Sequence, residues 1–242
     1  MATSGKIDDS LPGSSPFRAA RPSRSAPAGT IFDLRNLLAE RFPHPAPPAG
    51  TRLVTGLSFL DQAIGGGLPK SAITELISPQ ISAGSASLIH GLLYIAERDR
   101  YFLALIDGAD SFDPQSLGNA CLGHLLWVRC RKAFDAIKAA DLLLRDGNFP
   151  LVVVDLILNA SEELRKIPQT SWYRLQRLVE TAPTACLILS RQSMVSSAQL
   201  KIVLENSWTL KTFETEDPVS RLCFRIQRAH LSRTESVIAG AN

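Results

Sequence analysis

The chain has 242 residues, is 45% hydrophobic and carries a formal net charge of +3, which suits one α/β-sized core with a short appendage. Of that charge, +2 lies in residues 1–30, where Lys6, Arg18, Arg21 and Arg24 outweigh Asp8 and Asp9. The nearly neutral body lacks the counterion-release drive of a dedicated DNA binder. No apolar run approaches the roughly 18 residues of a membrane span, and "MATSGKIDDSLPGSSPF" lacks the apolar stretch of a secretory signal. The expected compartment is the cytoplasm, with no membrane role. Cys121, Cys130, Cys186 and Cys223 form no CxxC pair, and all but one lie in apolar runs such as "TACLILS". They read as reduced core thiols rather than disulfides or ligands, so neither a metal nor a cofactor is expected.

Residues 1–29, rich in Ser, Pro, Ala and Gly, hold too few large apolar side chains to offset ordering entropy and read as a disordered tail. Residues 30–42, "TIFDLRNLLAERF", place Thr30 in an N-cap position and Ile31, Leu34, Leu37, Leu38 and Phe42 on one helical face. This predicts an N-terminal amphipathic helix, followed by a Pro-rich linker at 43–50, "PHPAPPAG". From residue 51 to 232 strand-like and helix-like segments alternate. Strands are expected over 72–77, 101–106, 125–129, 151–155 and 185–190, with helices starting near Ser85, Lys132 and Thr170. Runs such as "YFLALI", "LVVVD" and "CLILS" are apolar without alternation, the mark of strands covered on both faces. The fold class is therefore α/β, a mainly parallel sheet flanked by helices. "WTLKTF" and "RLCFRIQRA", joined by "ETEDPVS", are expected to extend the sheet as a hairpin, and 233–242 reads as a C-terminal tail.

Within this pattern, "TGLSFLDQAIGGGLPKSAITELIS" at 55–78 resembles the entry to the core of the bacterial RecA recombinase, where a short helix and a glycine-rich turn precede the strand leading to the Walker A loop. "FLALIDGADSFDPQSL" is similar to the strand and loop carrying that family's catalytic glutamate. "LVVVD" resembles Walker B, and "CLILSRQ" the strand ending at a nucleotide-sensing polar residue. The likeness covers about residues 51–232 and implies a RecA-like core.

Carried over residue by residue, the resemblance implies a degenerate nucleotide site. In G-x-x-x-x-G-K-[ST] the lysine reaches the β- and γ-phosphates and the hydroxyl holds Mg²⁺. Ser78 stands at the first glycine, and Gly84 at the second if the loop is one residue longer. The lysine and hydroxyl positions then fall on Ser85 and Ala86, and no lysine occurs between Lys70 and Lys132. A lost lysine–phosphate contact removes roughly 4 kcal/mol of gross attraction at an effective dielectric of 20. "ISAGSAS" still offers a helix start that either binds an anion or is merely well capped. The catalytic-glutamate position falls on Ala109, with Asp110 one residue out of phase. Asp155 stands at the Walker B acid, where it either coordinates Mg²⁺ through water or turns the chain. Arg228 and His230 match two late-strand residues that reach a neighbouring protomer's nucleotide in the family, although Arg225 and Arg228 also fit as outward strand positions. "VRCRK" at 128–132 reads as a solvated strand end.

A RecA scaffold with these losses resembles the ImuA family, non-catalytic accessory proteins of the bacterial DNA-damage (SOS) response. That resemblance implies no enzyme activity and protein partners in error-prone translesion synthesis: an ImuB-type inactive Y-family polymerase homologue, an error-prone C-family polymerase, RecA itself, or a second copy. Expected partner-binding residues are Ile31, Leu34, Leu37, Leu38, Phe42 and Arg228. The alternatives are a RecA- or KaiC-type ATPase with a divergent loop and a SulA-like inhibitor of cell division.

Overall fold

The structure, a computed structural model, describes residues 52–81, 83–206 and 222–229, with residues 228 and 229 described by backbone alone. The expected tail, amphipathic helix, linker, "WTLKTF" segment, His230 and residues 233–242 lie outside the described residues.

Chain order begins with a two-residue ribbon, β1 (Arg52–Leu53) and β2 (Leu68–Pro69), paired antiparallel around α1 (Ser58–Ala63). Asp61 holds the entry to α1, accepting from the Thr55 and Gly56 amides and from Thr55 Oγ1 at 2.7–3.0 Å. The Arg52 guanidinium donates to the carbonyls of Ile64 and Gly67 across the triple-glycine turn. At Gly67, with φ +123°, a Cβ would lie 2.3 Å from the Leu53 carbonyl oxygen. No other residue fits there without displacing backbone.

The main sheet contains β3 (Ala72–Ile77), β4 (Leu103–Asp107), β5 (Leu125–Arg129), β6 (Leu151–Asp155), β7 (Ala185–Ser190), β8 (Leu200–Leu204) and β9 (Phe224–Ala229). Their spatial order is β5-β4-β6-β7-β3-β8-β9, parallel throughout except for β8 against β9. This is the mainly parallel α/β sheet expected from the unalternating apolar runs, and β3, β4 and β7 are buried along their whole length.

One strand expectation needs correction, and one strand was not expected; the expected pairing of "RLCFRIQRA" with "WTLKTF" lies outside the described residues. The strand expected over 101–106 starts at Leu103 and ends at Asp107. Among the described residues β9 pairs with β8, a strand the sequence reading missed because Lys201 breaks the apolar pattern of "LKIVL".

Helices cover both faces. α2 (Ser85–Arg98) leads from β3 to β4 and packs Leu88, Ile89, Leu92, Leu93 and Ala96 on one face. α4 (Ala133–Asp146) and α6 (Gln169–Glu180) lead toward β6 and β7 in the opposite direction along the sheet. Right-handed crossovers therefore put them on the other face, where Ala133, Ala136, Ala140, Trp172, Leu175 and Val179 form the second core. Short helices α3 (Asn119–Leu122) and α5 (Ser161–Arg165) complete the described elements, with a 3-10 turn at Pro114–Ser116.

Cys121, Cys130 and Cys186 are buried free thiols, and Cys223 is exposed. Burial pushes Cys186 up to about 12, so that thiol stays protonated at neutral pH. Among the described residues no cluster of three His, Cys, Asp or Glu could hold a metal, and no helix is long and apolar enough to cross a membrane.

Candidate functional site

β3 is central and its successor β4 lies beyond β7 and β6, so the carboxyl ends of these strands face a topological switch point. Ligands of open α/β sheets bind at such a point. Four segments meet there: residues 78–84 after β3, 108–113 after β4, 156–160 after β6 and 191–199 after β7.

The loop after β3 is folded on itself. Ser78, at the first-glycine position, is fully buried. Its amide donates to the Ser190 carbonyl at 2.7 Å and its hydroxyl to the Gln80 carbonyl at 2.9 Å. Ser78 is not among the left-handed non-glycine residues, so the backbone makes no demand for glycine here. Gly84 does adopt a left-handed conformation, φ +93°, as the N-cap of α2, consistent with the second-glycine role. Ala83 is buried and its amide reaches the Gln80 carbonyl at 3.3 Å. Ser85, at the lysine position, is only 6% exposed, whereas Ala86, at the hydroxyl position, is exposed.

Beyond β4 the chain turns around Asp107, which the sequence reading did not single out. Its buried carboxylate accepts the Ala109, Ser111 and Phe112 amides at 2.8–3.3 Å and contacts the Ser111 hydroxyl. These bonds fix the turn that carries Ala109. Asp110, left-handed at φ +55°, points to Arg129 and makes a bidentate pair with it at 2.6 and 3.0 Å. The hydrogen bonds from Arg129 hold the Asp110 carboxyl below its usual range. Arg129 in turn stacks 4.8 Å from the Trp127 ring, so Asp110 and the first basic residue of "VRCRK" are each other's partners. An aspartate so committed is a poor general base for a water at the position of Ala109.

Asp155 lies in register beside Asp107 across β4 and β6. One oxygen accepts the Ile157 amide at 3.0 Å, a contact of the kind a chain-turning aspartate makes. Burial, reinforced by the Asp107 charge and opposed by the Ile157 bond, pushes its pKa to about 6. Asn159, also missed from sequence, donates to the Gly108 carbonyl at 2.8 Å and to Glu163 at 3.3 Å, while Glu163 accepts the Ala133 amide. The two acid-bearing turns are thus tied to α5 and to the start of α4.

At the end of β7, the hydroxyl of Ser190 contacts Glu75 at 3.4 Å and donates to the Gln192 carbonyl at 3.0 Å. The last residue of the strand in "CLILSRQ" is therefore engaged with protein. At the sheet's far end Arg225 is exposed and paired with Glu205 at 2.9 Å. The Arg228 backbone lies opposite Lys201 in β9.

No family model matches the chain. Over 133 residues, 54% of this chain and 36% of the relative, it is 32% identical to the protein RecA of Chlamydia caviae. Over 107 residues it is 34% identical to the protein RecA of Clavibacter michiganensis subsp. michiganensis and 30% identical to that of Chlorobaculum tepidum, covering 29% and 30% of those proteins. The core is RecA-like. The chain spans about a third of the length of these curated relatives.

Proposed function

We propose that this chain is a non-catalytic RecA-like accessory protein that acts through protein contacts in error-prone translesion DNA synthesis, in the manner of the ImuA family. One observation carries the reading. Apart from Asp155, the groups at the positions matched to the recombinase's nucleotide site are small and uncharged, as at Ser85, Ala86 and Ala109, or already bonded to protein, as at Ser78, while the neighbouring Asp110 is paired with Arg129. These residues do not fit an ATP–Mg²⁺ group, because no lysine neutralises the phosphates and the loop amide of Ala83 is turned to Gln80.

A second reading, a divergent ATPase, is favoured by Asp155, which keeps an ionisable carboxylate at the Walker B position. Calorimetry with ATP and Mg²⁺ separates the two. The accessory reading expects no hydrolysis and no binding tighter than millimolar, whereas micromolar binding abolished by Asp155→Ala would establish the ATPase.

The partners in this reading are an ImuB-type polymerase homologue, a C-family polymerase and RecA, with self-association as a further mode. The apolar face of Ile31, Leu34, Leu37, Leu38 and Phe42 is the proposed contact, because a helix of about 12 residues needs docking to be stable. A linker of this length reaches up to roughly 25 Å. Removing residues 1–49 should leave the core's melting temperature unchanged and abolish co-purification of the polymerase-like partner. A large fall in melting temperature at unchanged oligomeric state would instead place that helix on its own core. Arg228→Glu should weaken association with RecA without unfolding the chain, and unchanged pull-downs would remove Arg228 from the interface.

A further inference from the structure

An ion pair buried at both ends lies beneath the segment that joins β7 to β8. Glu75 is inaccessible in the middle of β3, and Lys201 stands in register with it on β8, Nζ to Oε2 at 2.6 Å. The same carboxylate accepts the amides of Met194 at 2.7 Å and Val195 at 3.0 Å. Lys201 Nζ also donates to Ser193 Oγ at 2.7 Å. Three consecutive residues of the strap at 191–199 are therefore gripped by one pair of charges.

Both charges lie out of water and each is the other's counterion, so removing Lys201 would leave the Glu75 carboxyl buried with no cation beside it. With both present, the strap amides gain a charged acceptor, the stronger class of hydrogen bond. Both ends of the pair belong to strands of one sheet, and the strap groups bonded to it, the Ser193 hydroxyl and the Met194 and Val195 amides, belong to the chain itself. The amide of Ser78 joins the β3 loop to the carbonyl of Ser190, so the loop and the strap share one anchor.

We propose that Glu75 and Lys201 form a constitutive latch, holding the strap at 191–199 in one docked conformation without any ligand. The inference rests on the reading of a core that does not cycle with nucleotide. It makes the carboxyl edge of the sheet a fixed surface, where a nucleotide-driven protein needs a segment free to respond.

Amide hydrogen exchange on the full-length chain tests the latch. The Met194 and Val195 amides should exchange as slowly as those of β6, with or without millimolar MgATP. Lys201→Met should accelerate exchange at those two amides about tenfold or more while β4 and β6 amides stay unchanged. Glu75→Gln combined with Lys201→Met removes both charges but keeps an oxygen to accept the two N–H groups, and should restore most of the protection. A lysine that merely supports the core would lower protection everywhere.

Fast exchange at the two amides in the wild type, both without and with MgATP, or no change in Lys201→Met, overturns the latch and leaves the accessory reading standing. Slow exchange that appears only with MgATP overturns both. Should Lys201→Met fail to fold, the wild type and the double variant decide. A folded double variant with the two amides unprotected overturns the latch, and one with them protected supports it.

Discussion

Asp155→Asn should stabilise the protein at pH 8 and leave it little changed near pH 4. The folded-state pKa of Asp155 is about 6, above the roughly 3.9 of an unfolded aspartate. Between those values the folded state holds the proton that the unfolded state has lost, so stability rises as pH falls through that window. Above it the penalty is fully present. Discounted for partial solvent access, it is roughly 1–3 kcal/mol. Asparagine keeps an oxygen for the Ile157 amide and carries no charge beside Asp107. The melting temperature at pH 8 should therefore rise by about 3–8 °C, with the acid-side gain of the wild type removed. An unchanged or lowered melting temperature would mean that Asp155 is compensated by a cation. That outcome would strengthen the ATPase reading.

The contrast with Asp107 gives this result its meaning. Both carboxylates end neighbouring strands at the same level of the sheet. Asp107 accepts three backbone amides and fixes its turn, whereas the bond assigned to Asp155 is a single amide. An acid that costs stability is a common mark of a site kept for chemistry, and in the proposed accessory reading the position of the second acid is held by Ala109.

Much of the fold was legible because parallel strands covered on both faces leave unbroken apolar runs, and β3, β5, β6 and β7 fall where "AITELI", "LLWVR", "LVVVD" and "ACLILS" place them. Where a buried charge interrupts such a run, the pattern misleads. Lys201 hid β8, and Glu75 passed unnoticed in β3 although an acid inside a doubly covered strand is itself a signal that a cation lies opposite. The loops that gather at the carboxyl edge were readable from the order of strands and helices. Their engagement was not, because the partners of Asp110 and Ser78 are Arg129, on another strand, and the Ser190 carbonyl, more than a hundred residues away.

Restoring the cation should not restore the cradle. Ser85→Lys, alone or with Ala86→Thr and Ala109→Glu, is expected to destabilise the core by roughly 2–4 kcal/mol and to give no measurable MgATP affinity. Position 85 is the first residue of α2 and is 6% exposed. A lysine there must either bury its ammonium or push out through the loop at 78–84. The helix N-terminus adds an unfavourable dipole for any cation not answered by phosphate. In a working P-loop the phosphates supply that answer, but here Ser78 and Ala83 both bond to the Gln80 carbonyl and fold the loop inward. Urea unfolding of the variants measures the first effect and calorimetry the second. If Ser85→Lys with Ala86→Thr instead bound MgATP at micromolar concentration and gained stability from it, the loop would have kept the shape of a phosphate cradle. The missing side chains alone would then account for its silence.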